Sequence, residues 1–186
     1  MSNVVNGDEY RDRIAAYIHA SFGACGLDVY TEVAFGKTII GKDRHVDVFV
    51  LRTSDQRALG VECKRQNTSG TTDEKIPYAL QDLAAMWIPG VLTYSGTGWS
   101  KGVLHTLEGS RLAVRCEPGD DLARTAATLE LDHVIASAFG LWDRVIPEHR
   151  RFVPTPQLSL PGAPFSRVKS RSPSRKRKAG ATKSDG

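Results

Sequence analysis

The stretch from Arg44 to Gln66, RHVDVFVLRTSDQRALGVECKRQ, constrains this chain more than any other. Two apolar runs, HVDVFVL and ALGVECKRQ, flank the polar turn Thr53-Ser-Asp-Gln-Arg57, the pattern of two strands joined closely enough to pair. Each run carries charge where a sheet interior should not: Asp47 in the first, Glu62 and Lys64 in the second. Side chains two apart on a strand share a face. Glu62 and Lys64 therefore project together, followed by Gln66, while Leu59, Val61 and Cys63 take the opposite face. The short turn makes the Asp47 strand their neighbour, so the three charged groups can meet at one spot.

Two converging carboxylates without histidine or thiolate are hard oxygen ligands and suit Mg²⁺. A lysine beside them can hold or deprotonate a water while the metal polarises a phosphoryl oxygen, which equips the site for phosphodiester hydrolysis. The plainer reading of a strand-borne E-x-K is an exposed cross-strand ion pair, which is common. The flanks VFVL and LGV argue for the first reading, because unpaired charges in buried strands are costly and gathering them around a cation relieves that cost.

The rest of the chain supplies a frame for this hairpin. Residues 8–22, DEYRDRIAAYIHASF, read as an amphipathic helix with Tyr10, Ile14, Tyr17, Ile18 and Phe22 on one face. LDVYTEVAF and TIIGKDRHVDVFVL read as strands, and NTSGTTDEK as a polar loop. IPYALQDLAAMW reads as a helix with Pro77 in its first turn. GVLTYSG and RLAVRCE read as strands separated by a short helix, and DDLARTAATLELDHVIASAFGLW as a long final helix capped by Asp120 or Asp121. The expected order is helix, three strands, helix, strand, helix, strand, helix: an α/β (α+β) domain over residues 1–150 with a mixed central sheet flanked by helices.

Residues 151–186 hold nine of the 25 Lys and Arg but one of the 21 acids, Asp185, so this tail carries net +8 and residues 1–150 net −4. Its prolines and the low-complexity run SRVKSRSPSRKRKAGATKSDG predict disorder. SRSPSRKRK fits a nonspecific nucleic-acid tether, the preferred reading, or a nuclear localisation signal. No stretch has the roughly 20 apolar residues of a membrane span, and the N-terminus shows no signal-peptide pattern. Cys25, Cys63 and Cys116 are scattered and form no CxxC pair, which argues against a disulfide framework or zinc site and fits a reducing, cytoplasmic setting. Gly36-Lys37-Thr38 ends like a phosphate-binding loop, but position 31 is Thr where that loop needs glycine, so ATP binding is excluded there.

The motif VD(47)…E(62)CK(64)RQ resembles the signature of the PD-(D/E)XK nuclease superfamily, the fold of many type II restriction endonucleases. SGTTDEKIPYAL, just after the third strand, and GVLTYSGTGW are similar to stretches of a restriction-endonuclease-like branch. The resemblance covers about residues 5–140 and is densest over 44–80. It implies a Mg²⁺-dependent DNA endonuclease, with Mn²⁺ able to substitute. Asp47, Glu62 and the Cys63 backbone carbonyl would be metal ligands, Lys64 would orient or activate water, and Gln66, Arg65 and Lys75 are candidate nucleic-acid contacts. Other members act on RNA or branched DNA, and a noncatalytic nucleic-acid-binding relative is the competing class. Val46 precedes Asp47 where the signature has proline. Tyr10 is followed by Arg11 where many relatives place a glutamate, and Glu9 and Asp12 read more simply as exposed helix acids. Lys37, Lys42, Arg44, Arg52 and Arg57 also cluster around the motif as possible phosphate contacts, with Arg52 and Arg57 read as plain loop charges. Trp87, Trp99 and Trp142 read as core. The size suggests a homodimer or a component of a larger assembly.

Overall fold

The computed structural model describes residues 6–153. Helix α1 (Gly7–Phe22) precedes strands β1 (Leu27–Lys37), β2 (Asp43–Arg52) and β3 (Arg57–Arg65). Helix α2 (Thr72–Ala84), strand β4 (Gly90–Ser95), helix α3 (Lys101–Glu108), strand β5 (Ala113–Arg115) and helix α4 (Leu129–Phe139) follow. This is the expected order and an α/β architecture. The sheet runs β1-β2-β3-β4-β5, antiparallel from β1 to β3 and parallel from β3 to β5. The parallel pairs require crossovers, which α2 and α3 supply. Among the described residues no helix is long and apolar enough to cross a membrane.

One face of the sheet is closed by α1 and α4. Tyr10, Ile14, Tyr17, Ile18 and Phe22 of α1 join Leu131, Ile135 and Phe139 of α4 against Val48, Val50, Leu59, Val61 and Cys63. Each fully buried aliphatic or aromatic side chain there stabilises by about 1.5–3 kcal/mol. The second face is covered over β4 and β5, where Ile76 and Leu83 of α2 and Leu107 of α3 pack on Leu92, Tyr94 and Ala113.

Three expectations are corrected. Helix α2 begins at Thr72, so Asp73, Glu74 and Lys75 are helical rather than in a loop, and Pro77 lies inside the helix, where it lacks an N–H donor. The two acids at the α2 N-terminus favour the early start. Helix α4 begins at Leu129, not near Asp120. Asp121 accepts the Ala123 N–H, Leu122 has φ +53°, and Thr128 exchanges hydrogen bonds with Thr125, so local side-chain bonds replace the first helical turns. Of the three tryptophans read as core, only Trp99 is; Trp87 is 91% exposed and Trp142 is half-exposed. The expected tail lies, beyond Val153, outside the described residues.

Besides a register shift between Ala34 and Lys37, strands β1 and β2 break their alternation together near their middle. Val48 and Val50 belong to the α1 face, yet Val46, two residues away, lines the opposite side near Met86 and Gly60. The break falls on Asp47. Directly across, β1 pairs Thr31 with Val48 and Val33 with Val46, and the pairing skips Glu32, which has φ +55°. A left-handed residue inside a strand re-aims the side chains after it, as a bulge does. The two strands thus change faces together at Glu32 and Asp47.

Candidate active site

Pairing between β2 and β3 runs from Arg52↔Arg57 to Val48↔Val61 and stops there. At the next position the Asp47 carboxylate takes the place of a backbone acceptor: its Oδ2 accepts the Cys63 N–H at 2.7 Å. The N–H and C=O of one strand residue point to the same neighbour, so the Cys63 carbonyl also faces the β2 side, where the ladder has ended. Glu62 and Lys64 share the other face of β3. Glu62 Oε1 accepts from Lys64 Nζ.

The charges of Asp47, Glu62 and Lys64 act on one another. Burial pushes the Glu62 carboxyl above its ordinary range, against the pull of Lys64, and the neighbouring Asp47 adds to the rise. Asp47 is raised by burial too, opposed by its Cys63 hydrogen bond and by Lys64. Burial works against the Lys64 ammonium, but Glu62 and Asp47 outweigh it and hold it above the usual lysine range. Glu62 and Lys64 line a cleft of about 370 Å³ with Asp43, Arg44 and His45 of β2 and Lys75, Tyr78 and Asp82 of α2.

The donor set suits a hard divalent cation. Asp47 Oδ1 and Glu62 Oε2 accept no hydrogen bond from the described residues, so each carboxylate keeps an oxygen to give. Among the described residues no three His, Cys, Asp or Glu side chains gather as a metal-ligand cluster. A cation here would rest on two carboxylates, a carbonyl and water, oxygen donors that suit a hard divalent ion better than zinc. Cys63 is buried with its thiol pushed up by desolvation, so only its backbone is suited to that role.

The remaining candidates divide. Lys75 is on the cleft wall. Gln66 is 5% exposed, and its Nε2 donates to Asp73 Oδ1 at 2.7 Å and Gly98 O at 2.9 Å. It ties the end of β3 to α2 and to the Ser95–Ser100 turn rather than facing the cleft. That junction is tight: a Cβ on Gly98 would stand 2.5 Å from Thr68 N, and one on Gly96, at φ +94°, 2.3 Å from Gln66 O. Arg65 lies over the Tyr10 ring on the α1 face and donates to Ser95 Oγ at 3.2 Å, away from the Glu62–Lys64 side. Asp55 pairs with both Arg52 and Arg57 at the turn, but Arg52 also donates to the Phe139 carbonyl and lies over the Phe139 ring, so it ties the turn to α4 and is not the plain loop charge expected. Glu9 is spent on the capping box with Asn6, and Asp12 pairs with Arg11.

Two features had no signal in the sequence. Asp82 on α2 accepts Arg44 Nε at 2.8 Å, Arg44 NH2 at 2.7 Å and the Ile39 N–H at 2.8 Å. It clasps the β1–β2 hairpin to α2 across the cleft, so Arg44 is committed to a protein partner. Arg11 meets Glu32, and the pair pulls on Asp47 in opposite senses, Glu32 raising and Arg11 lowering its carboxyl. The position facing the strand break is therefore occupied by an ion pair, where many relatives of the resembled family would place a helix glutamate.

No curated protein sequence matches the chain. A solved structure, described as a protein of unknown function AF1548, aligns with 14% identity and a TM-score of 0.35, over 53% of this chain and 54% of that one. A family model described as a PD-(D/E)XK nuclease superfamily domain matches residues 6–142. That match spans α1 through α4 and contains the opened β2–β3 end with Asp47, Glu62 and Lys64, so the chain belongs to the PD-(D/E)XK nuclease superfamily.

Proposed function

We propose that this protein is a Mg²⁺-dependent endonuclease that hydrolyses DNA phosphodiester bonds at the opened end of the β2–β3 hairpin. The observation that carries this is the arrest of the strand ladder at Val48↔Val61, with Asp47 bonded to the Cys63 N–H and Glu62 to Lys64 just beyond it. Superfamily members are generally nucleases that use divalent metals on nucleic acid.

Asp47, Glu62 and the Cys63 carbonyl would hold the ion. When bound, Mg²⁺ polarises a phosphoryl oxygen and offsets the charge that grows on it. The Cys63 N–H fixes the Asp47 carboxylate, so little reorganisation is needed when phosphate arrives. Lys64 keeps two N–H donors beyond its bond to Glu62 and uses them to orient the attacking water or to neutralise a phosphate oxygen. The water oxygen bonds to phosphorus, the bond to the leaving sugar oxygen breaks, and a phosphate monoester and a hydroxyl remain. Lys75 on the cleft wall positions the backbone by charge.

The test is closed-circular plasmid incubated with Mg²⁺ and with chelator, beside linear duplex and RNA. Nicked or linearised plasmid in Mg²⁺ alone supports the proposal. Intact plasmid with retained binding would make the protein a noncatalytic relative, and cleavage confined to RNA would change the substrate.

A further inference from the structure

Helices α2 and α3 cover the second sheet face over β4 and β5 but leave it open over β1 and β2. On the open part four aromatic rings form a chain. Tyr30 and Phe49 have centroids 6.5 Å apart, Phe49 and Phe35 6.0 Å, and Phe35 and Trp87 6.4 Å. Tyr30 is 46% exposed and Trp87 91%. The chain follows from the shared change of faces: Tyr30 lies before the break at Glu32 and Phe35 after it, yet both meet Phe49.

The aromatic chain leads to the cleft. Trp87 follows Met86, a cleft-lining residue whose methyl group sits where a Cβ on Gly60 would stand, at 2.7 Å. Gly60 lies on β3 two residues before Glu62 and on the same face. Around the cleft mouth the acids Asp43 and Asp82 are paired with Lys37 and Arg44. Lys75 on the cleft wall forms no ion pair among the described residues, which leaves one cation free for a phosphate where the aromatic chain reaches the cleft. An unpaired cation at the end of a row of rings, with Tyr30 and Trp87 exposed and Phe35 and Phe49 half-buried, matches a single strand, whose phosphates seek the cation and whose bases stack on the rings. A regular duplex keeps its bases stacked on one another and offers such rings nothing.

We propose that this aromatic face is a stacking platform for unpaired bases, so that the nucleic acid taken up carries a single-stranded segment beside the scissile phosphate. The proposal rests on the nuclease reading above and specifies its substrate class.

The experiment is an anisotropy titration in chelator and in Ca²⁺ of a single-stranded oligonucleotide and a blunt duplex of equal length. Parent protein, Trp87→Ala, Trp87→Phe and Tyr30→Ala are compared over a salt series, with melting curves to verify folding. Trp87→Ala should weaken single-strand binding about tenfold, leave duplex binding within about twofold, and leave the salt slope unchanged because no charge is lost. Trp87→Phe should recover most of the loss. Equal weakening on both ligands, or no weakening, overturns the proposal. So does a parent that sediments as a dimer which Trp87→Ala dissociates, since the face would then seat a second copy. Plasmid nicking in Mg²⁺ with single-strand binding indifferent to Trp87 removes this proposal alone. Absence of binding to either oligonucleotide together with absence of nicking removes the nuclease reading and this one with it.

Discussion

Asp132 and Glu62 are carboxylates pulled out of water on opposite faces of one sheet, and burial pushes both above the ordinary carboxyl range. Their surroundings differ. Asp132, 3% exposed, accepts the Tyr17 hydroxyl at 2.6 Å between α1 and α4, with Arg124 at 3.9 Å. The Arg124 guanidinium also donates to the carbonyls of Arg144 and Ser21 and stacks on Phe22, 4.4 Å from its centroid. Burial, then the Asp132 carboxylate, push the Tyr17 hydroxyl up to about 12. Glu62 by contrast pairs with the Lys64 ammonium on the wall of a cleft, and a second carboxylate, Asp47, acts on it. A raised carboxyl therefore does not mark function by itself; a second carboxylate and an ammonium acting on it beside a cleft do.

The sharpest way to break this contrast is to remove each acid. Glu62→Ala should reduce Mg²⁺-dependent cleavage on the order of a thousandfold while nucleic-acid affinity stays level or improves, because a repulsive charge leaves the cleft. Its melting temperature in chelator should match the parent's. A loss of roughly 3–5 kcal/mol would instead mean that Lys64 has been stranded and that the pair is architectural. Asp132→Ala should do the reverse. Leaving the Tyr17 hydroxyl without its acceptor costs about 1–3 kcal/mol, visible in a denaturant midpoint, with cleavage per folded molecule unchanged.

A smaller effect tests the strand break that sets Asp47. Glu32→Val places a β-branched residue at φ +55°, a strain of about 1–2 kcal/mol, and should raise the Mg²⁺ concentration needed for half-maximal cleavage. Glu32→Gly accepts that backbone freely and should leave the Mg²⁺ requirement closer to the parent's. If both variants shift it equally, the Glu32 charge matters and the backbone does not.

The smallest effect is a pH slope. The folded Asp132 carboxyl titrates above its unfolded value of about 3.9. The folded state therefore holds its proton longer, and stability falls as pH rises from the unfolded value through the folded one, then levels off. Asp132→Asn, which can still accept from Tyr17, should remove that fall. Urea titrations at several pH values would show an unchanged slope if Asp132 is not its source.

Much of this was legible along the chain. The α1 stripe from Tyr10 to Phe22 and the turn at residues 53–57 are local patterns, and both appear where their periods put them. The face shared by Glu62 and Lys64 follows from the period of a strand. Asp47 was located, but its manner of reaching them was not. Simple alternation puts Val46 and Val48 on one face, and the left-handed Glu32 that prevents this has no signature in residue type. Trp87 was misread for a related reason: an aromatic residue at the end of a helix is core or surface according to what packs over it.

The order of residues by itself determined the element sequence and the three charged groups, because apolar period, turn chemistry and charge in an apolar run are all short-range properties. Only the tertiary structure decided which groups remain available. Arg44, Gln66 and Arg65 resemble Lys75 in sequence as candidate contacts, but Asp82, Asp73 with Gly98, and Ser95 with Tyr10 engage the first three. Those partners lie 7 to 55 residues away along the chain and are brought within reach only when α1, α2 and the β4 end close on the sheet. Lys75 forms no such bond among the described residues, and the cleft is where it is left.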